Sequence, residues 1–154
     1  CRQRKMCARD RRGAISELSD VDLLRNAGAD KISGNSAAIR HPELIDEIAR
    51  HYGAQVCVCA IDARHDADGW YCYVEGGRKR VDRKLFDWAK EAADRGAGEI
   101  LFTSMVHDAV QKGFANNALA ELSDEPSIPV IASGGAGTIA HFKATFTSGE
   151  AHPA

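Results

Sequence analysis

The sequence predicts an α/β fold built on a parallel sheet, and three observations carry that reading. Strand-like and helix-like stretches alternate four times at about 30 residues per unit, the spacing of βαβ crossovers. The strand-like runs are short and apolar, and they stop at polar or glycine-rich tips. The clearest tip is Ile128-Pro-Val-Ile-Ala-Ser-Gly-Gly-Ala-Gly137. Finally, alternation along each strand places polar side chains from different strands on one face, close to the carboxyl ends.

In chain order, Ser19 is expected to cap a helix carrying Val21, Leu24 and Ala27 and closed by Gly28. Residues 30–36 form a short strand with a polar tip. His41-Pro42-Glu43 opens the next helix, with proline in its first turn, Leu44, Ile45, Ile48 and Tyr52 on one face, and Gly53 as the stop. A buried strand is expected from Gln55 to Asp62. Within 63–81, Asp68-Gly69 and Gly76-Gly77 flank Trp70-Tyr-Cys-Tyr-Val74, the pattern of a small hairpin inserted in the loop. A helix follows with Leu85, Trp88, Ala89, Ala92 and Ala93 on its apolar stripe. Gly96-Ala-Gly98 leads into a strand from Glu99 to Ser104, then a polar loop and a helix through Ala118 to Leu122. The strand at Val130 to Ala132 completes the set, and Thr138 caps a helical pattern with Ile139, Phe142 and Phe146.

Composition narrows the function classes. With 154 residues and 44% hydrophobic content, the chain suits one domain with one core. A net charge of −2 gives no electrostatic footprint for nucleic acid or an anionic membrane. No apolar run approaches the roughly 20 residues that span a bilayer, and no signal-peptide pattern opens the chain. Five cysteines without framework spacing suit reduced thiols in the cytoplasm. Cys57-Val-Cys59 reads as two small hydrophobes alternating on a strand, with no metal expected.

Strand parity turns the fold into chemistry. Val56, Val58, Ala60 and Asp62 share one face of their strand, and Cys57, Cys59 and Ile61 the other. The same count aligns Lys31, Ser33 and Asn35, then Glu99, Leu101 and Thr103, then Ile131 and Ser133. Asn35, Asp62, Thr103 and Ser133 therefore converge at the carboxyl ends of their strands, where parallel α/β sheets bind ligands. Gly134 and Gly135 let backbone amides at the following helix approach a phosphate. Lys31 and Glu99 lie on the same face at the opposite ends, as a structural ion pair or a polar plug.

Four segments carry a family resemblance: residues 29–38, 60–63, 96–104 and 131–137. In order and spacing they resemble the cyclase subunit of imidazole glycerol phosphate synthase, an enzyme of histidine biosynthesis. The resemblance runs from about Gly13 to Gly149, leaving a basic segment at 1–12 and a short one at 150–154 outside it. It implies a (β/α)8 barrel of the TIM family, of which this chain carries roughly strands 4 to 7 with flanking helices. It also implies a role for each matching position. Asp62 is the second catalytic aspartate, a general acid. Asn35, Ser36, Thr103, Asp108, Ser133, Gly134 and Gly135 line the substrate pocket or hold a phosphate. Lys31 and Glu99 form half of the charged ring through which ammonia enters from a glutaminase partner. The implied reaction condenses ammonia with a phosphoribulosyl-formimino aminoimidazole carboxamide nucleotide, without metal or organic cofactor. Its products are imidazole glycerol phosphate and aminoimidazole carboxamide ribonucleotide.

This sequence also departs from the family pattern. Ala14 replaces a glycine of the Gly-Gly-Gly-Ile corner, and the segment from Val106 to Gly113 loses a glycine expected beside phosphate. Residues 1–12 do not read as the buried third strand; a reading-frame slip or a basic functional tail would each account for them. The first-strand general base lies outside the chain, so the 154 residues alone are expected to be inactive as a cyclase. A partial barrel that binds phosphate without catalysis, or the sister isomerase of the pathway, are the alternatives. Unpaired strand edges would favour self-association of a partial barrel.

Overall fold

The structure, a computed structural model, describes residues 6–7, 15, 17–105, 115–124, 127–134 and 152–153. Its elements are β1 (Met6–Cys7), α1 (Leu18–Asn26), β2 (Lys31–Gly34), α2 (Ser36–Arg40) and α3 (Glu43–Tyr52). After a 3-10 turn at Ala54–Val56 come β3 (Cys57–Asp66), β4 (Gly69–Val74), β5 (Lys79–Lys84), α4 (Leu85–Asp94) and β6 (Glu99–Ser104). The chain ends with α5 (Asn116–Asp124), β7 (Val130–Ser133) and β8 (His152–Pro153).

Six strands form a parallel path in the order β1-β2-β3-β6-β7-β8, and the β4–β5 hairpin branches from β3 in antiparallel pairing. Among the described residues no pairing joins β1 to β8, so the sheet is open. Its two faces differ sharply. One face carries Ile32, Cys57, Cys59, Ile61, Ile100, Phe102, Val130 and Ala132, all buried under the helices. Leu85, Trp88 and Ala92 of α4, Ile45 and Ile48 of α3, and Leu119 and Leu122 of α5 complete that core. Burying each leucine, isoleucine, valine or phenylalanine side chain there contributes about 1.5–3 kcal/mol. On the other face Lys31, Ser33, Ala60, Asp62, Leu101, Thr103, Ile131 and Ser133 are only half-buried.

Several elements differ from the sequence expectation. Helix α1 begins before Ser19: Glu17 is its cap, and its N–H donates to the Asp20 carboxylate at 3.3 Å. The acidic pair satisfies the first turn two residues earlier than a Ser19 cap would. The strand expected from Gln55 begins at Cys57, because Ala54–Val56 winds as a 3-10 turn closed by Val56 N–H to Gly53 O. Val56 stays buried but leaves the strand. At its far end β3 extends to Asp66, four residues beyond Asp62, since β4 pairs along it from Gly69↔Asp66 to Tyr73↔Asp62. The hairpin stands where the two glycine turns mark it.

The chain ends also differ from their composition. Met6 pairs with Lys31 and Cys7 with Ile32, and β8 pairs with β7 at Ile131↔His152 and Ala132↔Pro153. Ladder pairing uses backbone groups, which a judgement from side chains alone does not weigh. The helix expected after Thr138 and the loop at 106–113 lie outside the described residues.

Candidate functional site

The register of the parallel strands builds the site. Asp62 pairs with Thr103, and Thr103 with Ser133, so the three residues form one straight row across β3, β6 and β7. With neighbouring strands about 4.8 Å apart, the row spans roughly 10 Å. All three are half-buried on the open face. Thr103 and Ser133 stand at the carboxyl ends of their strands, whereas Asp62, expected at the end of its own, lies four residues inside β3, which runs on to Asp66 in its pairing with β4. A turn follows at Gly134, whose φ of 79° suits glycine and bends the chain away directly after Ser133.

Asn35 closes the row from the side. It follows β2 directly, at the start of α2, and only 7% of its surface is exposed. Its Nδ2 donates to Asp62 Oδ2 at 2.9 Å and to the Tyr73 carbonyl at 3.1 Å. Both amide protons are thereby used. The Tyr73 carbonyl accepts only, so it fixes which way the amide faces and aims a donor at the carboxylate. Asn35 Oδ1 is buried without a hydrogen-bond partner among the described residues, an acceptor held ready beside the row. Neighbouring Ser36 is 5% exposed, and its Oγ accepts the Glu75 N–H at 3.0 Å. Its hydroxyl thus touches the hairpin, a contact that local sequence did not signal.

At the amino ends Lys31 and Glu99 form the ion pair that parity allowed, Nζ to Oε1. Their side chains are 34% and 20% exposed, and Glu99 Oε2 is buried without a partner among the described residues. The face thus holds a carboxylate and hydroxyls at one end and a charged pair at the other. Asp108 and Gly135 lie outside the described residues.

The hairpin beside the row is tightly braced. Asp66 takes Arg64 and Arg80, each at 3.1 Å, and the Tyr73 hydroxyl donates to it at 3.3 Å. Arg80 stacks on Tyr71 and Arg64 on Tyr73, with centroid distances of 3.7 and 4.7 Å. Behind the sheet, Cys57, Cys59 and Cys72 are free, buried thiols, and no group able to hold a metal occurs among the described residues. Burial pushes Cys57 up to about 11 and Cys72 up to about 12, and Cys59 higher still. Such thiols behave as packing groups rather than nucleophiles.

The sequence matches the histidine biosynthesis protein family over residues 12–153. The chain belongs to that family. The family's fold is the (β/α)8 barrel, and the open parallel sheet with helices on one face is a portion of it. Among curated relatives, imidazole glycerol phosphate synthase subunit HisF of Bacteroides fragilis (strain YCH46) is 63% identical over 142 residues. That stretch covers 92% of this chain and 57% of the relative. The HisF subunit of Phocaeicola vulgatus has the same identity and coverage, and that of Elusimicrobium minutum is 57% identical over 142 residues. The chain therefore spans 57% of the length of these relatives. Among the described residues no helix is long and apolar enough to cross a membrane.

Proposed function

We propose that these residues form the central part of an ammonia-dependent cyclase of histidine biosynthesis, with Asp62 as its general acid. The observation that carries the reading is the Asp62–Thr103–Ser133 row with the Asn35 amide on the carboxylate. In this reading the Thr103 and Ser133 hydroxyls and the Gly134 backbone hold a phosphate end of the nucleotide. Asp108 and Gly135 serve the same phosphate, and Asn35 and Ser36 bound the pocket on the other side. A substrate pinned by its two phosphates presents its reacting carbon between Asp62 and a second carboxylate. Asp62 delivers a proton as the imidazole ring closes. The products are imidazole glycerol phosphate and aminoimidazole carboxamide ribonucleotide, and the protein's own proton donors carry the step without metal or organic cofactor.

The relatives' name is that of a subunit, which supports assembly with another chain. The fitting partner is a glutaminase docked at the amino ends of the strands. There the Lys31–Glu99 pair would sit at the entrance for ammonia, and the unpartnered Glu99 Oε2 offers ammonium a buried acceptor. A cytoplasmic setting suits the reduced, buried thiols.

The test is a chimera in which residues 13–149 replace their counterpart in the Bacteroides fragilis relative. Ammonia-dependent turnover is expected. Asp62→Asn should lower kcat by at least about a hundredfold with KM nearly unchanged, since only proton transfer is lost. Undiminished turnover in that variant removes Asp62 from the reaction. Conversion of the corresponding aminoaldose to the aminoketose without ammonia would assign the sister isomerase activity instead.

A further inference from the structure

We infer that the tip of the β4–β5 hairpin is a positioning device for Asp62, operated by Glu75, Arg40 and Ser36. The inference rests on the role of Asp62 proposed above. Glu75 is gripped twice by the same short helix: its N–H by Ser36 Oγ at 3.0 Å, and its Oε1 by Arg40 Nη2 at 2.6 Å. It is also the one described non-glycine residue with positive φ, at 59°. A left-handed glutamate costs about 1–2 kcal/mol, and such strain persists where surrounding contacts over-determine it. Arg78 adds a bond from its Nε to the Glu75 carbonyl at 2.8 Å.

The grip matters because of what lies two residues back. Tyr73 stands opposite Asp62 in the β3–β4 register, and its carbonyl accepts from Asn35 Nδ2. Asn35 sits immediately before Ser36, so one stretch of chain holds the hairpin tip with Ser36 and Arg40 and receives the Tyr73 carbonyl with Asn35. Fixing the tip fixes that carbonyl, the carbonyl fixes the facing of the Asn35 amide, and the amide holds Asp62 Oδ2. Were the tip to swing out, the Asn35 amide would be free to turn its oxygen towards the carboxylate.

The Arg40 and Glu75 side chains are 52% and 44% exposed, so their pairing is weak in energy. Its effect is therefore read as geometry, in kcat, and is expected to be moderate. In the chimera, Glu75→Lys sets like charges together and should lower kcat by about fivefold with KM within about twofold. Adding Arg40→Glu restores an opposite pair and should return kcat to within about twofold of the parent. Glu75→Gly removes the pair but relieves the left-handed strain; it should melt no lower than the parent and still lose kcat. In the 154-residue chain, the Asn35 side-chain amide protons, followed by 15N NMR, should exchange faster in Glu75→Lys than in the parent, and slow again in the charge-swapped pair.

Unchanged kcat and unchanged Asn35 exchange in Glu75→Lys overturn the positioning role. So does a loss of kcat that tracks melting temperature across the three variants. Asp62→Asn in the same background separates the two readings. If it loses turnover while the Glu75 variants do not, the hairpin inference fails and the proposed function stands; if it retains turnover, the proposed function fails first.

Discussion

Single side chains in this molecule are set by what faces them across the sheet. Cys57 and Cys59 are the clearest case, for alternation alone places them behind the Asp62–Thr103–Ser133 row and burial does the rest. Cys57 rises from the ordinary thiol value of 9.0 to about 11, and Cys72 to about 12, because a thiolate there would lose its hydration. The folded state therefore holds these protons more tightly than the unfolded one. Stability attributable to them is fully present below pH 9.0, where the unfolded thiols are protonated, and falls between there and about pH 11 as only the unfolded thiols ionise. Urea denaturation at pH 8 and pH 10 should show that loss, and Cys57→Ser with Cys72→Ser should reduce it, the remainder coming from Cys59. A thiol reagent at pH 8 should leave all three described cysteines unmodified until denaturant is added.

At the scale of elements, two glycines of similar sequence context have opposite meanings. A Cβ on Gly98 would come 2.3 Å from the Ala54 carbonyl oxygen and 2.7 Å from its carbon, both backbone atoms that cannot step aside. Gly98 N–H also bonds Cys57 O at 2.9 Å, so the 3-10 turn, the start of β3 and the start of β6 meet at this point. Gly98→Ala should destabilise by about 3 kcal/mol through that clash. Gly34 has open space around its Cβ position and an ordinary φ. Gly34→Ala should be neutral or stabilise by up to about 0.5 kcal/mol by restricting the unfolded chain. Denaturation midpoints of the two variants against the parent check both expectations, and equal midpoints would reject the crowding assigned to Gly98.

The same contrast explains what the sequence made legible. The rows Asp62–Thr103–Ser133 and Lys31 with Glu99 follow from strand alternation, a local property that tertiary packing leaves intact. Glycine turns at 68–69 and 76–77 announced the hairpin for the same reason. The 3-10 turn at Ala54–Val56 was not legible, since it depends on Gly98 packing against it from 44 residues away in sequence. The cap of α1 was misplaced because Glu17 with Asp20 can do the work expected of Ser19. Least visible were the bonds of Ser36 to Glu75 and Asn35 to Tyr73, separated by 39 and 38 positions, which no periodicity encodes.

Among the described residues, one layer of helices packs on an open sheet, and the proposed site lies on the uncovered face. The described fold holds the Glu75 end of the inserted hairpin against a helix, and leaves the turn at the other end, beyond the braced Asp66, on the surface. The tip at Glu75 is held by α2, whereas Ala67 and Asp68, in the turn between β3 and β4, are exposed. The two ends of this insertion thus differ in how they would answer to engineering. A new pair of termini, a fluorophore or a short affinity tag between Ala67 and Asp68 should leave the far-ultraviolet circular dichroism and melting temperature of the chimera close to the parent's. The same insertion between Gly76 and Gly77 should lower kcat, because it parts the tip from the helix that steadies it. The hairpin then becomes a handle: gripped at its inner end by α2, it offers its outer turn as the place to cut, rejoin or label the chain.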